Sequence, residues 1–225
     1  GFAALGADID DRGGIVYAKT DKLVGNDVFF DMVTVGGTIN VMLAAVRAQG
    51  TTVIYNAACE PHISDLAEML NRMGANISGA GSNRIEVVGV EKLHGCTARV
   101  GCDYIEAGSY IVAAAVTGGE LTLENIDPEP FEVLSGVFSR FGINWTVDAK
   151  ERRLHYVQRK RLKMKYDLGD AIPAVSDGPW PAFPSDLMSV LIVLATQTRG
   201  TCLFFEKMFE SRLYFVDRLR QMGAK

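Results

Sequence analysis

Two features that would announce a nucleic-acid or membrane partner are missing from this chain. It has no excess of positive charge: 23 lysines and arginines stand against 27 aspartates and glutamates, a formal net charge of -4. With a sequence pI near 5.4, neither a phosphate backbone nor an anionic bilayer has a general electrostatic hold on it, so an anionic ligand must be gripped locally. It also has no long apolar run. The longest, over 187–195, is too short to span a bilayer, and the opening Gly1-Phe2-Ala3-Ala4-Leu5 lacks the basic stretch, apolar segment and cleavage site of a signal peptide. Histidine and cysteine are scarce: the three histidines and the scattered Cys59, Cys96, Cys102 and Cys202, with no CxxC pair, suggest neither a zinc site nor a disulfide framework. These absences describe a soluble, cytoplasmic protein without a metal or other cofactor. What is present, 48% hydrophobic and 22% charged residues over 225 positions, suits one large domain or two modest ones.

The chain repeats itself. Leu5-Gly6-Ala7-Asp8-Ile9, Met73-Gly74-Ala75-Asn76-Ile77, Phe141-Gly142-Ile143-Asn144-Trp145 and Met222-Gly223-Ala224-Lys225 each place an apolar residue before glycine, and the first three glycines are 68 residues apart. Such a segment ends a helix at a left-handed glycine and turns it into a strand. Lys22-Leu23-Val24-Gly25 and Lys92-Leu93-His94-Gly95 keep nearly the same period, each after a β-rich stretch (Ile15-Val16-Tyr17; Ile85-Glu86-Val87-Val88). Each unit reads as a strand, its hairpin partner, a small-residue loop opening a helix, another strand, and an amphipathic exit helix. In the middle unit Gly108-Ser109 is expected to open a helix ending near Val116, Leu121-Thr122-Leu123 to be a strand, and 131–141 to be the exit helix. The longer third unit carries Arg152, Arg153, Arg159, Lys160, Arg161, Lys163 and Lys165, read as the solvated face of an extended hairpin. Because the frame starts and stops at the close of an exit helix, flanking sequence is expected on both sides.

Three helix openings carry candidate chemistry. Thr34-Val35-Gly36-Gly37-Thr38 precedes an apolar helix over 39–46; its small residues let backbone N–H groups and the helix's positive end approach a phosphate, and they equally suit a plain N-cap. Trp180-Pro181-Ala182-Phe183-Pro184-Ser185-Asp186 is stiffened by its prolines ahead of a helix through 190–196. There Ser185 or Asp186 serves as a cap, or Asp186 as a carboxylate that accepts a hydroxyl proton. In Glu206-Lys207-Met208-Phe209-Glu210-Ser211-Arg212-Leu213, between a strand at 203–205 and a helix over 212–222, Arg212 either grips a carboxylate or phosphate or forms a surface pair with Glu206 or Glu210. Asn56-Ala57-Ala58-Cys59-Glu60-Pro61-His62 reads as a strand-to-helix turn with Pro61 at the helix entry, tied down by Asn56 and Glu60. A nucleophilic Cys59 would have only His62 nearby as a base, which supports it poorly.

Together these segments resemble the enolpyruvyl transferase (EPSP synthase) superfamily, and within it the branch acting on UDP-N-acetylglucosamine. The residues that carry the resemblance are Asn56-Ala57-Ala58 with Glu60-Pro61 and Ile63, Leu70 through Ile77, Gly79-Ala80-Gly81 with Ile85, Gly89-Val90, Leu93-His94-Gly95, Asp103 with Ile105-Glu106-Ala107-Gly108, Ala113-Ala114-Ala115 with Thr117-Gly118-Gly119, Phe183-Pro184-Ser185-Asp186, and Phe209-Glu210 with Arg212. They span almost the whole chain in the family's order. The resemblance implies an α/β (α+β) fold of repeated inverted βαβαββ units in a two-domain clamp. That clamp would be incomplete at both ends, with 1–102 the C-terminal part of the first domain and 103–225 the N-terminal part of the second. It implies transfer of enolpyruvyl from phosphoenolpyruvate to the 3-hydroxyl of UDP-N-acetylglucosamine with release of phosphate, in peptidoglycan synthesis and so in cell shape and division. These two small molecules would be the partners, with no cofactor, nucleic acid or membrane, and the oligomeric state stays open. Position by position, Thr34, Val35 and Gly36 match the loop that contacts the nucleotide sugar, and Asp186 the general base. Met208 matches a backbone contact to the acetamido group, and Arg212 an arginine organising the charged site.

The chain departs from the family pattern at His62, usually acidic, at Tyr104, usually arginine, at Ser211-Arg212-Leu213 in place of Asn-Arg-Phe, and in its long third unit. The family's loop with a reactive cysteine and a phosphoenolpyruvate-binding arginine would precede residue 1, a lysine-asparagine pair would lie further upstream, and more arginines would follow residue 225. None of the four cysteines matches the loop cysteine, so this length alone is expected to show no turnover. Two other functions stay open: a non-catalytic nucleotide-sugar-binding paralogue, and an enolpyruvyl transferase with another hydroxyl acceptor.

Overall fold

Four turns of this protein close in one way, three of them at the end of a helix. In the computed structural model, which describes residues 1–158 and 160–224, Gly6, Gly74, Gly142 and Gly223 have φ of 89°, 97°, 82° and 96°. Each glycine N–H bonds the carbonyl three residues back, and the next N–H bonds the carbonyl five back. Gly74 to Asn71 and Ala75 to Leu70 are both 3.0 Å, and Gly142 to Ser139 and Ile143 to Phe138 are 3.1 and 3.2 Å, with matching bonds at Gly6 and Gly223. This double closure satisfies carbonyls the helix leaves open and requires a left-handed residue, which glycine supplies without a Cβ penalty. The 68-residue spacing is thus a period of left-handed glycine closures. Arg159 and Lys225 lie outside the described residues.

The chain divides into two compact units, Gly1–Val100 and Gly101–Lys225. In the first, β1 (Asp8–Arg12) and β2 (Ile15–Lys19) form an antiparallel hairpin of their own. Next come β3 (Asp27–Phe29), α1 (Val35–Ala45), β4 (Thr51–Tyr55), α2 (Pro61–Arg72), β5 (Asn76–Ser78) and β6 (Arg84–Val88). The sheet order is β3-β4-β6-β5, with β3 parallel to β4 and β6 antiparallel to both its neighbours. This is one complete βαβαββ unit. α2 starts with proline at its first turn, where no N–H is needed, and buries Ile63, Ala67 and Leu70, a helical stripe at one spacing of four and one of three. α1 buries Val41, Met42 and Ala45, and both helices close a core with Leu5, Ile54, Ile85 and Val87. Asn71 brackets Ile77, donating to its carbonyl at 2.9 Å and accepting from its N–H at 2.8 Å, which fixes how the exit helix meets its strand.

The second unit contains α3 (Tyr104–Thr117), β7 (Glu120–Glu124), α4 (Pro128–Arg140), β8 (Thr146–Asp148) and β9 (Arg153–Val157). A 3-10 turn (Leu168–Asp170), β10 (Ala174–Ser176), α5 (Ser185–Thr196), β11 (Leu203–Phe205) and α6 (Val216–Gln221) follow. Sheet β7-β9-β8 is antiparallel, whereas β10 and β11 pair in parallel across the α5 connection. Phe131, Phe138, Phe141, Leu154, Tyr156, Leu187 and Leu191 form its core. Among the described residues no helix is long and apolar enough to cross a membrane.

Four expectations are corrected. α3 opens five residues before Ser109, at Tyr104, because the Asp103 carboxylate accepts the N–H groups of Ile105 and Glu106 at 2.9 and 3.1 Å; Gly108 sits mid-helix beneath Leu187, whose methyl carbons lie 3.1 Å from where a Cβ would stand. No strand is found among the described residues between β6 and α3, so the second repeat runs α3-β7-α4-β8-β9. The extended basic hairpin stops at Val157: beyond it Met164 and Arg199 take up backbone bonds between the 162–164 segment and the end of α5. Arg152 and Arg153 pair with Asp127 and Glu124. Finally, the helix expected over 212–222 shortens to α6, with Phe215 at its N-cap: the chain passes from Ser211 at φ 66° through turns over 211–215 before helical bonding begins.

If the exits depend on left-handed glycine, Gly142→Ala lowers unfolding free energy by about 1–2 kcal/mol. Gly136→Ala, in the middle of α4 with open space around its Cβ, instead raises it by about 0.5–1 kcal/mol. Urea denaturation of the two variants beside the parent checks both signs.

Candidate functional site

The Thr34 loop is built from below. Thr34 is the N-cap of α1, in extended conformation, and its hydroxyl accepts the Gly37 N–H at 3.2 Å. Of the first-turn N–H groups, those of Val35 and Gly36 stay outside the helix's own ladder. Gly36 is exposed, and a Cβ placed on it would meet nothing within 4 Å, whereas a Cβ on Gly37 would meet the Thr34 methyl at 2.4 Å. Gly37 is therefore demanded by the cap, and Gly36 leaves an open approach to the helix mouth. α1 has no acidic residue in its first turn, so its positive end is unopposed there.

The Asn56-Ala57-Ala58 stretch explains itself against this loop. Asn56 takes φ 57° and donates its side-chain amide to the Phe30 carbonyl at 2.8 Å. Ala57 and Ala58 are buried, and the Ala58 N–H bonds the hydroxyl of fully buried Thr38 at 3.0 Å. That hydroxyl donates in turn to the Thr34 carbonyl at 2.8 Å. A two-bond relay thus runs from the second turn to the first, through a residue with no room to move. Glu60 makes no capping bond, and one of its carboxylate oxygens is buried without a partner. Burial, then Glu60, push the Cys59 thiol up, the opposite of what a nucleophilic cysteine needs.

In the second unit, residues chosen separately from the sequence meet. Arg212 Nη2 donates to Asp186 Oδ1 at 2.8 Å and Nη1 to the Ser185 carbonyl at 3.2 Å, while the guanidinium lies 4.6 Å from the Phe209 ring centre. Of the two alternatives for Arg212, the surface pair with Glu206 or Glu210 is not formed; its partner is the Asp186 carboxylate. Pro184, not Ser185 or Asp186, occupies the N-cap of α5, with no side-chain capping bond; Ser185 and Asp186 form its first turn. Asp186 is exposed, so its ion pair is worth little to stability and mainly sets direction. Asp186 Oδ2 faces no partner among the described residues and is the oxygen available to a ligand.

Met208 is held by its N–H, which donates to Asp177 Oδ2 at 3.2 Å; Lys207 N–H donates to Oδ1 of the same carboxylate at 2.6 Å. The backbone group left for a ligand at Met208 is its carbonyl. Glu206 Oε1 accepts the Phe209 N–H at 3.2 Å, and Lys207 Nζ reaches the Ser176 hydroxyl at 3.3 Å. Sequence reasoning missed Asp177 and Glu206. Their signal was positional: each follows the carboxyl end of a parallel strand, β10 or β11, beside the mouth of the connecting helix, where α/β sheets gather ligand groups.

Across all of residues 1–225 the chain matches the family model for EPSP synthase (3-phosphoshikimate 1-carboxyvinyltransferase), and it belongs to that family. It is 51% identical over 225 residues to a UDP-N-acetylglucosamine 1-carboxyvinyltransferase of Borrelia garinii, covering 100% of this chain and 52% of that protein. To the Treponema pallidum protein of the same name it is 46% identical over 224 residues, again with 100% and 52% covered. The chain thus spans about half the length of these relatives. Among solved structures, the enolpyruvyl transferase NikO from Streptomyces tendae superposes with TM-score 0.80 at 19% identity, over 97% of this chain and 53% of that one. EPSP synthase from Acinetobacter baumannii superposes with TM-score 0.67 at 21% identity, over 99% and 51%. These two establish the enolpyruvyl transferase fold.

Thr38→Val keeps the volume and removes the relay hydroxyl, leaving the Ala58 N–H buried without an acceptor. It is expected to cost about 1–3 kcal/mol in chemical denaturation, with Thr38→Ser recovering most of the loss.

Proposed function

We propose that this chain is the interior of a cytoplasmic UDP-N-acetylglucosamine 1-carboxyvinyltransferase, with 1–102 the later part of its first domain and 103–225 the earlier part of its second. The observation that carries the reading is the Asp186–Arg212 pair at the mouth of α5, 2.8 Å long, in a chain half identical to enzymes of that name. Thr34, Val35 and Gly36 offer N–H groups and a positive helix end to the diphosphate of the nucleotide sugar. The Met208 carbonyl accepts the acetamido N–H. Asp186 accepts the proton of the sugar 3-hydroxyl as that oxygen bonds C2 of phosphoenolpyruvate, whose methylene carbon gains a proton. Loss of a proton from the resulting methyl group then restores the double bond, and the C–O bond to phosphate breaks to release inorganic phosphate. Arg212 keeps the Asp186 carboxylate aimed through one oxygen and leaves the other for the hydroxyl. No metal or redox step is needed for these bond changes.

The test is phosphate release from phosphoenolpyruvate by the intact protein. Release that depends on UDP-N-acetylglucosamine, and falls by about 100-fold or more in Asp186→Asn with little change in nucleotide-sugar affinity, is the expected result. Release with another hydroxyl acceptor only, or binding of the nucleotide sugar without release, would sink the assignment. Gly36→Ala fills the open approach to the α1 mouth, and is expected to raise KM for the nucleotide sugar while thermal stability stays near the parent's.

A further inference from the structure

The turn after β11 is held by two carboxylates rather than by cations. Asp177 is buried, 4% exposed, and spends one oxygen on each of two successive N–H groups, of Lys207 and Met208. Glu206 spends Oε1 on the Phe209 N–H, and its Oε2 is buried with no hydrogen-bond partner. The two side chains are brought side by side by the parallel register, in which Ser176 pairs with Phe205 and the Asp177 N–H donates to the Phe205 carbonyl at 3.3 Å. Among the described residues neither carboxylate forms an ion pair: Lys207 reaches Ser176 instead, Arg212 is committed to Asp186 and Ser185, and Glu210 is exposed. Two adjacent carboxylates without a cation cannot both stay ionised cheaply, and a buried oxygen without a donor asks for a proton.

We propose that Asp177 and Glu206 share one proton across the ends of β10 and β11, and that this clasp is a positioning device which sets the 206–212 turn and thereby the Met208 carbonyl and the Arg212–Asp186 pair. Its positioning role rests on the functional reading above; the shared proton does not. Asp177 accepts the two N–H groups that define where Met208 sits, so the proton belongs on Glu206 Oε2, donated toward Asp177. In agreement, burial, followed by the hydrogen bond and charge of Asp177, pushes the Glu206 carboxyl above its ordinary value. The folded chain then holds a proton that the unfolded chain releases in the ordinary carboxylate range. The clasp's stabilisation is therefore full at acid pH and is lost as pH rises through the raised folded value.

Glu206→Gln carries a permanent N–H donor where the proton sits and keeps the oxygen that Phe209 needs. In the 225-residue chain, melting temperatures from about pH 4 to about pH 8 are expected to show the Gln variant gaining on the parent as pH rises. A difference that stays constant or shrinks overturns the shared proton. In the intact protein, Asp177→Ala is expected to raise KM for UDP-N-acetylglucosamine by about tenfold, more than it lowers kcat. Asp177→Asn, which keeps one acceptor, should recover part of that, and Glu206→Gln should remove the parent's fall in kcat/KM on the alkaline side. Kinetics unchanged in Asp177→Asn and Asp177→Ala, or an alkaline limb in Glu206→Gln parallel to the parent's, would overturn the positioning role. A parent protein inactive with both substrates would overturn the functional reading instead, and the melting series would still decide the shared proton.

Discussion

A helix that must turn back toward its sheet within a few residues has few ways to do so; this protein ends α2, α4 and α6 in one of them and repeats the closure in the turn before β1. The left-handed glycine lets the next N–H reach five residues back, so the last carbonyls are satisfied and the chain leaves at an angle that returns it to the sheet. Everything that matters for the site follows from the regularity of that return. Strands arrive in parallel pairs, β3 with β4 and β10 with β11, and the helix joining each pair opens beside their carboxyl ends. The Thr34 loop and the Asp186 turn are the same structural position in two repeats, furnished with different side chains.

The furnishing suits one position to two kinds of work. At the α1 mouth the first helical turn carries no acidic residue, glycine leaves the backbone approachable, and the loop is held from behind by Thr38 and the Asn56 turn. That suits a ligand bringing its own negative charge. At the α5 mouth a carboxylate occupies the first helical turn and a guanidinium reaches it from the strand's far side. Since both side chains are exposed, their pairing adds under about 1 kcal/mol to the fold, too little to account for a turn that also uses Asp177, Glu206 and the Phe209 ring to hold Arg212 in place. The turn is better explained as a means of aiming one arginine than as a support for the core.

The repeat was legible because its signal is backbone chemistry: a glycine between an apolar residue and a strand has one conformational use, and 68-residue spacing repeats it. The strands at 121–123 and 203–205 and the exit helix of the middle unit were legible for the same reason, that their patterns are local. What failed was decided by competition between local signals. Gly108-Ser109 looked like a helix opening, but Asp103 caps more strongly, and the glycine serves to let Leu187 close on α3. The 212–222 helix begins only at Val216, after turns over 211–215 that start from a left-handed Ser211, which no propensity of serine announces.

The candidate site residues divide along the same line. Thr34, Gly36, Asp186 and Arg212 could be found because each stands at a helix mouth or beside one, where residue type alone suggests a use. Asp177 and Glu206 could not, since a carboxylate after a short strand is ordinary in sequence and becomes unusual only when another lies across the ladder with no cation between them. Register supplies that information, and register depends on the pairing of β10 with β11, segments that the 26 residues between Ser176 and Leu203 separate in the chain. A candidate group can thus be visible in one dimension while the groups that hold it are visible only in three, because the first is suggested by its chemistry and the second by its neighbours.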